Sequence, residues 1–140
     1  DKEFEPRAAM AVTIEPKGFG EPIRIIGTHL DHRETTQRLK QIKVINEKWA
    51  STTTPTILAG DLNAKPGSEE IERLLEHWTD PAAGQRLPTY PSIDPRVRID
   101  FILYRPANRF ELVEVKVTEA VRASDHCPVL MVVKVLPADR

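Results

Sequence analysis

The sequence predicts a mixed α/β fold with a substantial sheet, on three observations. Short apolar runs of strand length are separated by two stretches of helical period before residue 79. Three further strand-like runs follow without an intervening helix. Gly and Pro punctuate the boundaries, as turn chemistry requires.

Residues 8–14 (AAMAVTI) and 23–28 (IRIIGT) read as strands joined by the turn-rich "EPKGFGEP". From Arg33 to Trp49, apolar positions fall at Leu39, Ile42, Ile45 and Trp49, the three-to-four spacing of a helix with one buried stripe. "TILAG" (56–60) has the continuous apolar character of a strand buried on both faces. Ser68 then stands as an N-cap, with Glu69 and Glu70 suiting the helix dipole and Ile71, Leu74, Leu75 and Trp78 forming a second stripe. Asp80 to Arg96 is Pro-rich and aperiodic, a long surface loop. Residues 97–104 alternate, with Val97, Ile99, Phe101 and Leu103 on one face. Residues 110–117 alternate with a phase slip between Leu112 and Val113, the mark of a bulge, and 128–135 is an almost wholly apolar last strand.

Composition narrows the function classes. The chain has 140 residues, enough for one domain or part of a larger one, with 40% hydrophobic and 29% charged content. No segment approaches the ~18 apolar residues of a membrane span. A net charge of −1 argues against a surface that wraps nucleic acid by counterion release. A single cysteine, Cys127, excludes an intrachain disulfide framework and reads as a small buried residue. The start, "DKEFEPRAAMAVTI", lacks Met and enters a strand almost at once, which reads as a processed or truncated chain. The compartment is not legible.

The chemistry-bearing residues cluster at strand ends: Thr28-His29-Leu30-Asp31, Gly60-Asp61-Leu62-Asn63, Arg98-Ile99-Asp100-Phe101 and Ser124-Asp125-His126-Cys127. Residues two apart in a strand share a face, so Asp61 and Asn63 can address one point while Leu62 enters the core. A carboxylate beside a carboxamide suits a hard cation and a phosphoryl oxygen. Asp125 beside His126 can supply a ligand or base with a proton-handling imidazole, and Asp100 could orient that imidazole. Each cluster also has a bland reading: a turn for Asp61 and Asn63, a structural or surface histidine for His29, a strand-edge charge paired with Arg98 for Asp100, and a plain loop for Asp125-His126. His32 and His77 take no role. Tyr90 and Tyr104 fit either a substrate contact or, better, core or loop positions, and Arg86 and Arg96 fit either solvated charges or a phosphate contact.

In combination and in order, "GTHLDH", "ILAGDLNAKPGSEEI", "RIDFIL" and "SDHCPV" resemble the successive motifs of the endonuclease/exonuclease/phosphatase superfamily of metal-dependent phosphoesterases, from about Arg7 to Val135. "GDLN" and "SDH" are the specific ones. The resemblance implies that Asp61 and Asn63 contact the metal-bound nucleophile and scissile phosphate, that His126 meets the phosphate with Asp100 paired to it, and that Asp125 associates with the metal. It makes His29 a phosphate-binding histidine of the branch with pancreatic-type deoxyribonucleases, sphingomyelinases, deadenylases and inositol-phosphate phosphatases, and tilts away from abasic-site repair. The implied metal set is Asp61, Asn63 and Asp125 with Mg²⁺ or Mn²⁺. The implied reaction is hydrolysis of a nucleic-acid, phospholipid head-group or sugar or inositol phosphate ester, with Asp61 or the Asp100–His126 pair as base.

One departure matters. Nothing matches the family's upstream asparagine and "QE"-like glutamate, since Glu3 and Glu5 precede the first strand in no such context. The resemblance therefore implies that 1–140 is the C-terminal portion of a single domain, half of a two-sheet α/β sandwich with two main helices and a mostly antiparallel sheet. Such a chain should bind metal weakly, turn over poorly alone, and self-associate as a homodimer through an exposed sheet face. The alternative is an inactive fragment or binding module that keeps the fold. A nucleic-acid-binding module lacks support, because no basic stripe or aromatic platform is present.

Overall fold

The computed structural model describes residues 5–118 and 123–138. Strands β1 (Ala9–Ile14), β2 (Ile23–His29), β3 (Thr56–Asp61) and β4 (Asp100–Arg105) form one sheet in the order β1-β2-β3-β4. β1–β2 and β3–β4 are antiparallel, whereas β2–β3 is parallel and so requires the crossover helix α1 (Thr35–Trp49). Helix α2 (Glu69–Leu75) follows β3. β5 (Phe110–Val117) and β6 (Val129–Val135) make a separate antiparallel ribbon. Its register shifts between Leu112 and Glu114, so the bulge sits where the alternation slips.

Alternation divides the sheet into two unlike faces. Ile26, Leu58, Phe101 and Leu103 point toward the helices and pack with Ile42, Ile45, Trp49, Ile71, Leu74 and Trp78 in one core cluster. Each such aliphatic side chain contributes about 1.5–3 kcal/mol by leaving water. The opposite face is open. Val12 pairs with Ile25, and Ile25 with Ile57, across three strands. Met10 is 72% exposed and Val12 50%, so no second layer covers them among the described residues.

Four sequence expectations change in detail. On α1 the buried stripe is Arg38, Ile42, Ile45 and Trp49, with Leu39 only half-buried. Arg38 displaces it because each guanidinium nitrogen has a partner: Nε donates to Glu70 Oε1 (2.8 Å), Nη1 to the Asp31 carbonyl (3.1 Å) and Nη2 to Thr35 Oγ1 (2.7 Å). β3 is buried on one face only, through Thr56 and Leu58, while Ile57 and Ala59 are part-exposed on the open face. Ser68 occupies the N-cap of α2, but its hydroxyl makes no capping bond. The Glu70 carboxylate turns back onto its own N–H and onto Arg38 instead. Finally, β4 begins at Asp100 rather than Val97. The Ile99 and Asp100 N–H groups both donate to Thr89 Oγ1 (3.1 and 3.2 Å), and Val97 pairs with Tyr90, so 97–99 belong to the loop.

That loop is less loose than its composition suggests. Thr89 is wholly buried, and the Arg98 guanidinium donates to both carboxylate oxygens of buried Asp80 (2.8 and 2.7 Å) while lying 4.2 Å from the Phe101 ring centroid.

Candidate active site

Register places three of the candidate side chains in a row. His29 is the partner of Asp61 across β2–β3, and Asp61 is the partner of Asp100 across β3–β4. Directly opposed residues share a face, so all three emerge on the open side at one end of the sheet. Leu30, Leu62 and Phe101, one residue on in each strand, are buried at 1% exposure and anchor the row from the helix side. Gly60 makes the close spacing possible: a Cβ there would lie 1.8 Å from the Thr28 carbonyl oxygen.

Asp61 is the hub. Its Oδ1 accepts the Asn63 N–H at 2.8 Å, with Asn63 at φ +47°, a conformation asparagine tolerates. The Asn63 carboxamide donates to the Leu30 carbonyl at 3.0 Å, tying the ends of β2 and β3 together. The pair thus forms the turn of its bland reading, with Asp61 Oδ2 outside it. Asp61 Oδ2 is faced by two imidazoles, His29 Nε2 at 3.4 Å and His126 Nε2 at 3.9 Å. The longer gap exceeds hydrogen-bond length.

His126 is held from three sides. Its Nδ1 lies 2.8 Å from Asp100 Oδ2, which assigns the Nδ1 proton to that contact and leaves Nε2 facing Asp61. The Tyr90 ring packs against it at 4.9 Å between centroids. Its backbone N–H donates to Ser124 Oγ (3.1 Å), and the next N–H, of Cys127, donates to the Thr89 carbonyl (2.7 Å). Burial pulls the His126 pKa down, but the hydrogen bond and charge of Asp100, with the charges of Asp61 and Asp125, prevail and raise it above its ordinary value.

His29, Asp61, Asn63, Asp100 and His126 therefore converge. Asp125 stands apart: it is exposed, its carboxylate lies 3.5 Å from Ser124 Oγ, and its backbone carbonyl accepts the Ser92 N–H (2.7 Å). Arg98 does not neutralise Asp100, because Asp80 holds it. Cys127 is buried, as its type suggests, and Tyr104 packs on Phe110. Asp31 is structural, its Oδ1 accepting the Arg33 and Glu34 N–H groups (2.8 and 2.7 Å) ahead of α1. Sequence reasoning missed Gly60, Thr89 and the Tyr90 contact. A glycine closing an apolar strand was a usable signal for the first; a threonine in a Pro-rich loop offered none.

Ligand atoms from Asp61, Asp100 and His126 lie within 4.8 Å of one another. Two carboxylates and an imidazole this close together suit a hard divalent cation that keeps other positions for water and substrate, so the residues present fit such an ion.

A four-stranded mixed sheet carrying helices on one face, with acid and imidazole groups at its strand ends, has the layout of DNase I-like α/β folds. The Endonuclease/Exonuclease/phosphatase family model matches residues 3–126, and the chain belongs to that family. Solved structures agree on the fold. A mannosyl-6-phosphatase of Bacteroides thetaiotaomicron VPI-5482 superposes with a TM-score of 0.79 at 21% identity, over 92% of this chain and 57% of that one. The catalytic domain of human Nocturnin, solved with bound sulfate, gives 0.66 at 20% identity over 90% and 53%. A Staphylococcus aureus beta toxin solved with magnesium ions gives 0.61 at 16% identity over 88% and 56%. The chain thus spans just over half the length of each. No curated protein matches it by sequence. No helix among the described residues is long and apolar enough to cross a membrane.

Proposed function

We infer that this chain carries the acid–imidazole half of a phosphoesterase centre that works with Mg²⁺ or Mn²⁺. The observation behind this reading is Asp61 Oδ2 facing two imidazoles, one of them backed by Asp100. A divalent cation held by Asp61, with Asn63, Asp100 or Asp125 contributing, would offset charge on the phosphoryl oxygens. His29, Asn63 and His126 donate hydrogen bonds to those oxygens as charge builds. Asp100 orients His126 through Nδ1 and favours its protonated form over the neutral one. Asp61 is the first choice for accepting the proton of the attacking water and the Asp100–His126 pair the second. The family's range, which among its structural neighbours includes a sugar phosphatase, leaves phosphodiester and phosphomonoester substrates both in view.

Residues 1–140 are read as the C-terminal portion of one family domain, in keeping with coverage of 53–57% of the three structures above. On this reading the isolated chain hydrolyses slowly. The same coverage favours a second reading, a phosphate-binding module without turnover. Titrating the 140-residue chain with inorganic phosphate and Mg²⁺ while following imidazole NMR signals tests the site itself: His29 and His126 should both respond. Silence at both would sink the phosphate assignment. Assay of an activated phosphodiester then separates the readings. Slow hydrolysis that needs the metal and drops at least about 100-fold in His126→Ala supports the enzyme; binding with no turnover supports the module.

A further inference from the structure

Arg86 and Arg96 of the Pro-rich loop take no part in the centre described above. With Lys65 they line a cavity of about 280 Å³, also walled by Pro66, Pro88 and Val97. No carboxylate is among its lining residues. Arg98 reaches the wall too, but its charge is taken by Asp80, and Arg96 is shared with Asp94 (2.9 and 2.5 Å). The side chains of Lys65 and Arg86 have no hydrogen-bond or ion-pair partner among the described residues. Two uncommitted cations from distant segments of the chain therefore converge on one hollow.

Two walls of the hollow are linked to the centre, one along the chain and one through backbone pairing. Lys65 is two residues beyond Asn63, at most about 7 Å along the chain. Val97 exchanges two backbone hydrogen bonds with Tyr90, each 3.0 Å, and the Tyr90 ring lies against His126. The segments that build the hollow leave β3 and enter β4 at the end that carries Asp61 and Asp100. An arginine fork beside a lysine point charge is the donor set that suits a phosphate, and an open hollow of about 280 Å³ suits one such group rather than a strand of them. The chain's net charge of −1 points the same way, since a polyanion would need cations spread along its path.

We propose that the Lys65–Arg86–Arg96 pocket holds a second phosphate of a small, doubly phosphorylated substrate whose scissile phosphate lies at Asp61 and His126. This rests on the phosphoesterase reading and adds the substrate class. The test is titration of the ¹⁵N-labelled 140-residue chain with glucose 1,6-bisphosphate and, in parallel, glucose 6-phosphate. The bisphosphate should shift the Arg86 Nε–H and His126 signals together and bind at least about tenfold more tightly than the monophosphate. Lys65→Ala/Arg86→Ala should bring that ratio close to one while its amide spectrum stays dispersed. If His126 responds and Arg86 does not, or the ratio survives the double substitution, the pocket assignment is wrong and the centre's reading stands. If Arg86 responds while His126 stays silent, the centre's reading fails and the substrate assignment falls with it. A ten-nucleotide single strand that binds more tightly than the bisphosphate would overturn the assignment to a small substrate.

Discussion

The two faces of the four-stranded sheet are made by alternate residues of the same strands, yet they do different work. On the helix side, Ile26, Leu58, Phe101 and Leu103 are at or below 1% exposure and packed on all sides. On the open side, the strand bodies carry part-exposed apolar residues and the strand ends carry His29, Asp61 and Asp100. The packed face fixes backbone positions, and the open face presents what those positions hold. A site built on rigid strand ends keeps its geometry without relying on its own contacts for stability.

Substitutions can break this contrast, and the largest effect belongs to the packed face. Phe101→Ala should cost about 3–5 kcal/mol by loss of apolar burial and a residual cavity, read by denaturant or thermal unfolding. Because Phe101 adjoins Asp100, the imidazole signal of His126 should broaden or shift with it.

A middle-sized effect is expected at the clamp between the helices. Glu70 is 4% exposed and paired with Arg38. Burial alone would raise its pKa, but its own backbone N–H, then the Arg38 and Thr35 contacts and the Arg38 charge, lower it below the ordinary value of 4.5. A carboxylate depressed in the folded state adds stability that is fully present above its unfolded pKa. That stability is lost as pH falls through the lower folded value. Wild type should therefore lose stability as pH drops below about 4.5, whereas Glu70→Gln should be less stable at pH 7 by about 1.5–3 kcal/mol, the worth of a charged hydrogen bond, and flatter in acid. Parallel pH curves for the two proteins would rule this out.

The smallest change in stability is expected on the open face. Met10→Ser should alter the monomer's unfolding free energy by no more than about 0.5 kcal/mol. Its effect should appear in association instead. Contiguous exposed apolar surface is uncommon on soluble monomers, and we propose that a second copy covers this face in the isolated chain. Sedimentation should give a dimer for wild type that weakens in Met10→Ser. A strictly monomeric wild type would remove the proposal.

The sequence made the element order and the placement of much of the candidate site legible because both follow from local periodicity. Asp61 and Asn63 could be placed on either side of a core leucine by counting two, and Asp100 could be set on the face opposite Phe101. What escaped was set by contacts between distant segments. Arg38 entered the core because Glu70, Asp31 and Thr35 meet it there, which no single-helix pattern reveals. Val97–Ile99 left the strand because Tyr90 paired with Val97 and Thr89, ten residues before Ile99, captured the Ile99 N–H. The exposure of Ile57 and Ala59 depends on whether a second layer covers the sheet, and an apolar run reads the same either way.

Arg98 shows how a site can depend on a residue that never touches it. A guanidinium two positions from Asp100 is the natural rival of His126 for that carboxylate. By drawing the guanidinium into a buried pair on the far side of the strand, Asp80 acts as electrostatic insulation for the acid–imidazole couple. The spacing "RID" is therefore safe only while an aspartate eighteen residues upstream keeps its neighbour occupied.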